Sequence, residues 1–349
     1  MIDFRSDNTC AVHPHVMQAL VNANQASASS YGADTYSDTL KERLSELFEK
    51  EVYVWLTNTG TAANSLALSA LTKPFHSIFC HASSHINTDE CAASQLFTGG
   101  ACLHPLESRD GKLPVSVLQP LIDHATAMRP HASIPGCLSI TQSTECGTVY
   151  SLAELQEIAA FAQKNHLPIH MDGARFANAL AHLNCSPAEM TWKSGVDVLS
   201  LGGTKNGALL AEAIVFFNPK FIEDFDFRHK RVGQLMSKTR FIACQWLALL
   251  EDNLWLKNAA HANHMAQQVA QIFQQFNLHP HWSVDANEVF VTLPKHVADA
   301  LMALDVKFYD WYSPTNDLYR FVTSCFTSEH DMNTFKEHLK TCCEQAYHS

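Results

Sequence analysis

Helical and strand-like patterns alternate through about the first 220 residues, and this alternation restricts the fold more than any other feature of the chain. Apolar residues at helical spacing in LKERLSELFEK (40–50) are followed by the β-branched and aromatic run VYVWL (52–56) and by a second helical stretch, TAANSLALSALT (61–72). Such alternation is typical of βαβ units around a mainly parallel sheet. We therefore expect an α/β core.

The same alternation continues through the middle of the chain. The stretch SLAELQEIAAFAQKN (151–165) begins with a serine that has Glu154 three residues later, which is the capping-box pattern of a helix start. LPIHMD (167–172), VDVLSL (196–201) and EAIVFF (212–217) then predict three strands. The α/β pattern therefore extends to residue 217, the end of the third predicted strand.

From about residue 240 the pattern changes to long helices, followed by short strands and a last helix. We expect a smaller α+β domain there. The predicted division is an N-terminal arm (1–15), a large domain (16–245) and a small C-terminal domain (246–349). NANQASASSYGAD (22–34) predicts a loop, because small and polar residues dominate it.

Charge and composition exclude several classes of function. Lysine and arginine number 24 and aspartate and glutamate 35, a net charge of −11 that argues against nucleic acid as the main partner. No apolar run approaches the roughly 20 residues that span a bilayer, so no membrane association is expected. The twenty histidines include no HExxH pattern, which favours scattered surface histidines over a metal site.

The cysteines and the N-terminal residues predict a cytoplasmic protein. Eleven cysteines are scattered along the chain without a CxxC pair, which fits reduced thiols better than a disulfide framework. The first residues, MIDFRSDNTC, lack the apolar core of a signal peptide.

The lysine in SLGGTKNGAL (200–209) stands in an unusual setting. Lys205 follows a predicted strand and is flanked by Gly202, Gly203 and Gly207. An amine at the mouth of a sheet can lose its proton through desolvation and attack a carbonyl to form a Schiff base. It can equally extend to solvent as a surface lysine does. The glycine spacing is wrong for a P-loop.

Three further features follow predicted strands, where ligands bind in open α/β sheets. In LTNTGTAAN a turn with Gly60 leads into a helix at Thr61. A phosphate could bind to the free N–H groups of this helix start, or Gly60 could simply form an ordinary strand-to-helix turn. In HMDGAR, Asp172 could hold a proton on a heteroaromatic nitrogen or form a structural ion pair with Arg175. His85, after SIFCH, could act as acid, base or stacking platform, or have no role.

The order of these features is more specific than any one of them. A phosphate-binding turn, a histidine, an aspartate at a strand end and a lysine about thirty residues later match the chain order of pyridoxal phosphate enzymes with the aspartate aminotransferase fold. The predicted fold is therefore that of aspartate aminotransferase (fold type I), with the cofactor in the large domain.

Seven motifs are spread along nearly the whole chain: RSDN at the start, YGAD at 31, TGTAAN at 59, SSH at 83, HMDGAR at 170, GGTKNGAL at 202 and RFVTS at 320. In their order and spacing they resemble the low-specificity L-threonine aldolases of the β-eliminating lyase superfamily. The resemblance implies a lyase that reversibly cleaves β-hydroxy-α-amino acids to glycine and an aldehyde. It also implies a homotetramer, a dimer of dimers, with each site at a dimer interface.

The resemblance also implies a role for each matching residue. Lys205 would form the Schiff base with pyridoxal 5'-phosphate, Asp172 would face the ring nitrogen, and His85 would stack on the ring near the substrate hydroxyl. Backbone groups of Gly60 and Thr61 would bind the phosphate. The resemblance further implies Ser6, Arg175 and Arg320 as ligands of the substrate carboxylate, Tyr31 as a substrate ligand, and Arg175 as a cofactor ligand as well. Arg240, or alternatively Lys238 or Arg231, would reach the phosphate of a neighbouring subunit.

One stretch departs from the family pattern. Many relatives have Glu-Asn-Thr-His after the strand that precedes the aspartate, whereas this chain has TQSTECGTVY with Gln142 and Glu145 at the corresponding places. The rival activities are another pyridoxal phosphate reaction, such as β-elimination or transamination, and a non-enzymatic member of the fold. Retention of the full set argues against the non-enzymatic alternative: Lys205, Asp172, His85 and Arg320.

Overall fold

The computed structural model describes residues 1–24, 27–311 and 317–345, which contain twelve strands and fourteen α-helices. The strands are β1 (Ile2–Asp3), β2 (Tyr53–Thr57), β3 (His76–His81), β4 (Cys102–Leu106), β5 (Ile134–Thr141), β6 (Ile169–Gly173), β7 (Val198–Gly202), β8 (Glu212–Phe216), β9 (Glu288–Thr292), β10 (Val306–Lys307), β11 (Tyr309–Asp310) and β12 (Leu318–Val322).

The helices are α1 (Pro14–Ala23), α2 (Thr35–Leu47), α3 (Gly60–Leu71), α4 (His85–Thr88), α5 (Ala93–Thr98), α6 (Leu118–Ala127), α7 (Leu152–Lys164), α8 (Phe176–Leu183), α9 (Pro187–Met190), α10 (Phe225–Arg231), α11 (Arg240–Leu250), α12 (Leu254–Gln274), α13 (Lys295–Ala303) and α14 (Glu329–Gln345). Within the described ranges, no helix has the length and apolar character needed to cross a membrane.

A seven-stranded sheet in the order β2-β8-β7-β6-β5-β3-β4 forms the centre of the fold. Neighbouring strands are parallel except at β8, which runs antiparallel to both β2 and β7. The register sets Thr141 of β5 opposite Asp172 of β6, and Asp172 opposite Ser200 of β7. The carboxyl ends of the parallel strands therefore meet at one edge, and the prediction of a mainly parallel sheet is confirmed.

Both faces of this sheet are buried, which explains why its strands read as apolar runs. Val198 and Ile214 pack in one apolar cluster with α3, whereas Leu199 and Val215 belong to a larger cluster on the opposite face. Alternate side chains of a strand point to opposite faces, so each central strand supplies both layers.

A three-stranded antiparallel sheet in the order β11-β12-β9 forms a second, smaller part with its own apolar core. Phe4 belongs to that core, and β1 pairs in parallel with β10, so the N-terminal residues pack with the C-terminal part. The apolar cluster of the large sheet continues to Ala259. The domain boundaries at residues 15 and 245 stay predictions.

Local signals in the sequence account for several helix starts. The capping box at Ser151 is present, with its Oγ accepting from the Glu154 N–H and the Glu154 side chain accepting from the Ser151 N–H. Asp34 caps α2 by accepting from the Ser37 N–H at 2.9 Å, so the helix begins at Thr35, five residues before the helical pattern that we predicted to begin at residue 40. The predicted loop 22–34 overlaps the end of α1, and its residues 25 and 26 lie outside the described residues.

Candidate active site

A cavity of about 310 Å³ lies at the carboxyl edge of the seven-stranded sheet, and we call it the inner cavity. The segments that follow β2, β3, β5, β6 and β7 contribute to its wall, together with the first residue of the antiparallel β8. It brings together six of the residues predicted from the sequence: Gly60, Thr61, His85, Asp172, Arg175 and Lys205.

Asp172 is a buried carboxylate held by the protein at the end of β6, with 4% of its surface exposed. Its Oδ2 accepts a hydrogen bond from Asn64 Nδ2 at 2.7 Å, and its Oδ1 accepts from the Ala174 N–H at 3.0 Å. The ion pair with Arg175, which the sequence left open, does not form, because Arg175 binds Asp7 instead. The Asp172 carboxylate is therefore fixed in place and lines the cavity.

Asn64 and Glu90 connect Asp172 to His85. Asn64 Nδ2 also donates to Glu90 Oε1 at 2.8 Å, and His85 Nδ1 lies 2.8 Å from the same oxygen. This hydrogen bond raises the pKa of His85, although burial opposes the shift. Burial raises the pKa of Glu90. Neither residue was predicted from the sequence, although Asn64 interrupts an apolar helix and Glu90 follows His85 by five positions.

Lys205 lies in a short 3₁₀ turn, Thr204–Asn206, directly after β7. A Cβ at Gly203 would lie 2.8 Å from the Ala211 carbonyl oxygen, and Gly207 has a φ of +103°, so both flanking glycines are required by the backbone. Asn206 anchors the turn by donating to the Trp255 carbonyl at 2.8 Å. Within the part of the chain that the structure describes, the Lys205 amine forms no hydrogen bond or ion pair, so it is available to a ligand.

The start of α3 provides free backbone donors. Thr59 caps the helix, its Oγ1 accepting from the Ala62 N–H at 3.1 Å. The N–H groups of Gly60 and Thr61 have no hydrogen-bond acceptor among residues 1–24, 27–311 and 317–345. A Cβ at Gly60 would meet nothing within 4 Å, which leaves space for a ligand. Free N–H groups and the helix dipole make this a site for an anion.

A second cavity of about 530 Å³, the outer cavity, adjoins the first. His85, Glu145, Arg175 and Lys205 line both cavities. Ser6 and Arg320 line the outer cavity alone, together with aromatic side chains of the small sheet. Ser6 and Arg320, two of the three predicted carboxylate ligands, thus line the same cavity as Lys205.

The two arginines are held differently. Arg175 is buried, with Nε 2.8 Å from Asp7 Oδ2 and Nη1 3.3 Å from Glu288 Oε2. Burial opposes its charge, but the two carboxylates outweigh burial and raise the pKa of Arg175. The Arg320 Cζ lies 4.9 Å from the centroid of the Trp311 ring, and its Nη1 lies 3.7 Å from Glu288 Oε1. The buried Nε of Arg320 has no acceptor within the described residues. Arg320 therefore retains a free donor.

Tyr31 and Arg240 lie outside both cavities. Tyr31 is half exposed and lines a separate pocket with Gly32 and Trp55, and the Lys230 ammonium lies 5.0 Å from its ring centroid. Arg240 opens α11 and donates to the Ala23 carbonyl at 3.3 Å. A single chain therefore does not bring these two predicted residues to the lysine.

Comparison with known proteins shows the family and the fold of the chain. Residues 3–296 match the beta-eliminating lyase family, whose enzymes depend on pyridoxal phosphate. A low specificity L-threonine aldolase of Pseudomonas sp. is 42% identical over 93% of both chains. The solved structure of Leishmania major threonine aldolase is 26% identical, covers 98% of this chain and 100% of its own, and has a TM-score of 0.93.

A more distant structure, described as a histidinol-phosphate aminotransferase from Erwinia carotovora atroseptica, is 13% identical, with a TM-score of 0.75 over 99% of this chain and 97% of its own. At that identity the likeness concerns the fold alone, and it confirms the prediction of a fold type I architecture. The fold, the cavity at the carboxyl edge of its sheet and the family match together place the chain in the beta-eliminating lyase family.

Proposed function

We propose that this protein is a pyridoxal phosphate-dependent aldehyde-lyase that cleaves L-threonine, L-allo-threonine and related β-hydroxy-α-amino acids to glycine and an aldehyde. One observation carries the proposal: a single cavity combines a buried carboxylate with an amine and helix-start N–H groups that have no partner among the described residues. The chain that builds this cavity is 42% identical to a curated low specificity L-threonine aldolase.

The residues of the inner cavity fit the cofactor. The unpartnered N–H groups of Gly60 and Thr61 would hold its phosphate, and the buried Asp172 would hold the protonated ring nitrogen. Lys205 would carry its aldehyde as a Schiff base, with His85 against the ring. Bound there, pyridoxal phosphate supplies an electron sink for the pair of electrons released at Cα.

The outer cavity suits the substrate carboxylate. Arg320 offers a buried N–H without an acceptor among the described residues, and Ser6 and Arg175 line the same space. A guanidinium binds a carboxylate through charge-assisted hydrogen bonds with a defined direction. Holding the carboxylate there and the amino group at Lys205 would fix two substituents of Cα, so D-threonine should be excluded.

Cleavage also needs a group that removes the proton of the β-hydroxyl. The candidates at the junction of the cavities are His85, acting directly or through a water that it orients, and Glu145. A positioned base of this kind contributes roughly 10²–10⁴-fold to a rate.

The assembly that we propose is a homotetramer built as a dimer of dimers. Tyr31 is half exposed, and its N–H donates to the carbonyl of Ser237, three positions before Arg240; we take the surface around these residues as the interface. This surface would contact a neighbouring subunit, where Arg240 would reach the phosphate and Tyr31 the substrate.

We further propose a cytoplasmic location. All eleven cysteines are free thiols in the structure, which suits a reducing compartment.

The test is to incubate the purified protein and pyridoxal phosphate with L-threonine and to measure glycine and acetaldehyde. We expect the two products in equal amounts. A 2-oxo acid without glycine would instead show β-elimination, if ammonia is released with it, or transamination, if it is not, and either result would overturn the proposal.

A further inference from the structure

Glu145 lies where the inner and outer cavities meet, because it contributes to the walls of both. It follows β5, in the stretch that departs from the family pattern. If the substrate amino group occupies the place of Lys205 and its carboxylate lies against Arg320, then Cα lies between the two cavities. The β-carbon, which is bonded to Cα, and its hydroxyl would then lie within reach of residues that line both cavities, Glu145 among them.

The loop that carries Glu145 is held in a fixed conformation. The Gln142 amide donates to the Tyr150 carbonyl and accepts from the Tyr150 N–H, both at 2.9 Å. The Thr144 N–H donates to the Thr148 carbonyl at 2.9 Å, which closes a tight turn around Glu145. Gln142 is fully buried and its amide is engaged by the backbone, so it is a structural residue and Glu145 alone of the two reaches the substrate space.

The Glu145 carboxyl has no partner of its own among the described residues. Asp172 is bound by Asn64, and Glu90 is bound by Asn64 and His85. By contrast, no hydrogen bond or ion pair reaches either oxygen of Glu145 from residues 1–24, 27–311 or 317–345. A carboxyl on a cavity wall without a protein donor is free to accept a hydrogen bond from a ligand.

The charges around Glu145 also suit a base. Burial raises its pKa, with Asp172 and Glu288 acting in the same direction and Lys205 and Arg175 opposing them. A base works best when its pKa lies near the working pH. His85 is less suited, because its Nδ1 is engaged by Glu90, and this hydrogen bond favours the protonated imidazole.

We propose that Glu145 is the base that accepts the proton of the substrate β-hydroxyl, an inference that rests on the aldolase function proposed above. The O–H bond breaks and its proton passes to a Glu145 carboxylate oxygen, while the C–O bond becomes the C=O of the aldehyde. The Cα–Cβ bond breaks and its electron pair stays with the glycine fragment. Cα then takes up a proton from solvent to complete glycine, and Glu145 releases its proton to solvent, so atoms and charge balance.

The test compares the wild type with Glu145→Gln, which keeps the size of the side chain but cannot take up the proton. Two reactions are measured on the holoenzyme: cleavage of L-threonine, and exchange of the glycine α-proton in D₂O, which involves no hydroxyl. We expect kcat/KM for cleavage to fall about 10²–10⁴-fold, while glycine exchange stays within about threefold of the wild type. Glu157→Gln, on the exposed face of α7, serves as the control and should match the wild type in both.

A further measurement needs no activity. Infrared difference spectra between wild type and Glu145→Gln, recorded on cofactor-free protein across pH, should show a carboxyl that titrates above the ordinary glutamate pKa of about 4.3. Cleavage retained in Glu145→Gln, loss of glycine exchange together with cleavage, or a carboxyl with an ordinary pKa would each overturn the assignment. A wild type that exchanges glycine but does not cleave threonine would refute the proposed function instead.

Discussion

Asp172 and His85 are joined by hydrogen bonds through Asn64 and Glu90. Because Asn64 donates to the carboxyl groups of Asp172 and Glu90 from one nitrogen, it holds these two groups close together in a buried place. Glu90 Oε1 also faces His85, so the orientation of the imidazole depends on a carboxyl that no ligand needs to touch. Such a supporting residue positions its neighbour and tunes its protonation.

The first prediction concerns Glu90→Gln. The hydrogen bond to Glu90 is the largest cause of the raised His85 pKa, so its replacement by a neutral amide should lower that pKa. The measurement is an NMR titration of the histidine ring signals in cofactor-free protein, assigned through a His85→Gln variant. Because the folded-state pKa is raised in the wild type, His85 should lose its proton at a lower pH in Glu90→Gln. An unchanged or higher pKa would contradict the coupling.

Helix α3 shows how one element can serve both stability and binding. Its Thr59 cap fixes the first turn, and this leaves the N–H groups of Gly60 and Thr61 for an anion. The capping box at Ser151 fixes the first turn of α7 in the same way, but α7 lies away from both cavities. The two caps therefore form a matched pair.

The second prediction uses that pair. Thr59→Ala and Ser151→Ala should each destabilise the cofactor-free protein by about 1 kcal/mol, the usual cost of losing a cap. Only Thr59→Ala should also weaken pyridoxal phosphate binding, by roughly tenfold for a similar loss of free energy. Thermal unfolding and cofactor titration measure the two effects. Equal weakening of cofactor binding in Ser151→Ala would show that the start of α3 has no special role.

The sequence predicted the elements around the site well, because their signals are local. Strand ends, the glycines beside Lys205 and the Ser151 capping box are all patterns of a few neighbouring residues. The partners of the site residues were missed because they come from distant segments: Asp7 binds Arg175 across 168 positions, and Asn64 reaches Asp172 across 108. Tyr31 and Arg240 lie away from the lysine in the single chain, and the role predicted for Arg240 depends on a neighbouring subunit that one chain does not contain.

At the scale of the whole molecule, the site joins the large sheet to the small one. Lys205 follows β7 of the central sheet, whereas Arg320 lies on β12 of the small sheet, paired with Phe290 of β9. Glu288, also on β9, contacts both Arg175 and Arg320 and so links the two parts at the outer cavity. Substrate binding should therefore depend on the position of Arg320, which is set by the small sheet.

The third prediction is that Arg320→Lys raises KM for L-threonine by about 10- to 150-fold, since a charge-assisted hydrogen bond contributes roughly 1.5–3 kcal/mol. Arg43→Lys, at an exposed ion pair with Glu46, is the control and should leave KM unchanged. Steady-state kinetics and thermal unfolding are measured on both. A lower melting temperature with unchanged KM in Arg320→Lys would mean that the arginine is only structural.

The central claim, that Lys205 is the amine on which the chemistry depends, is tested most directly by locating the cofactor. Holoenzyme is reduced with borohydride and digested, and the modified peptide is sequenced by mass spectrometry. We predict that the reduced cofactor is found on Lys205 and that Lys205→Ala protein, treated in the same way, carries none. Cofactor fixed to another lysine in the wild type, or still fixed in Lys205→Ala, would contradict the account.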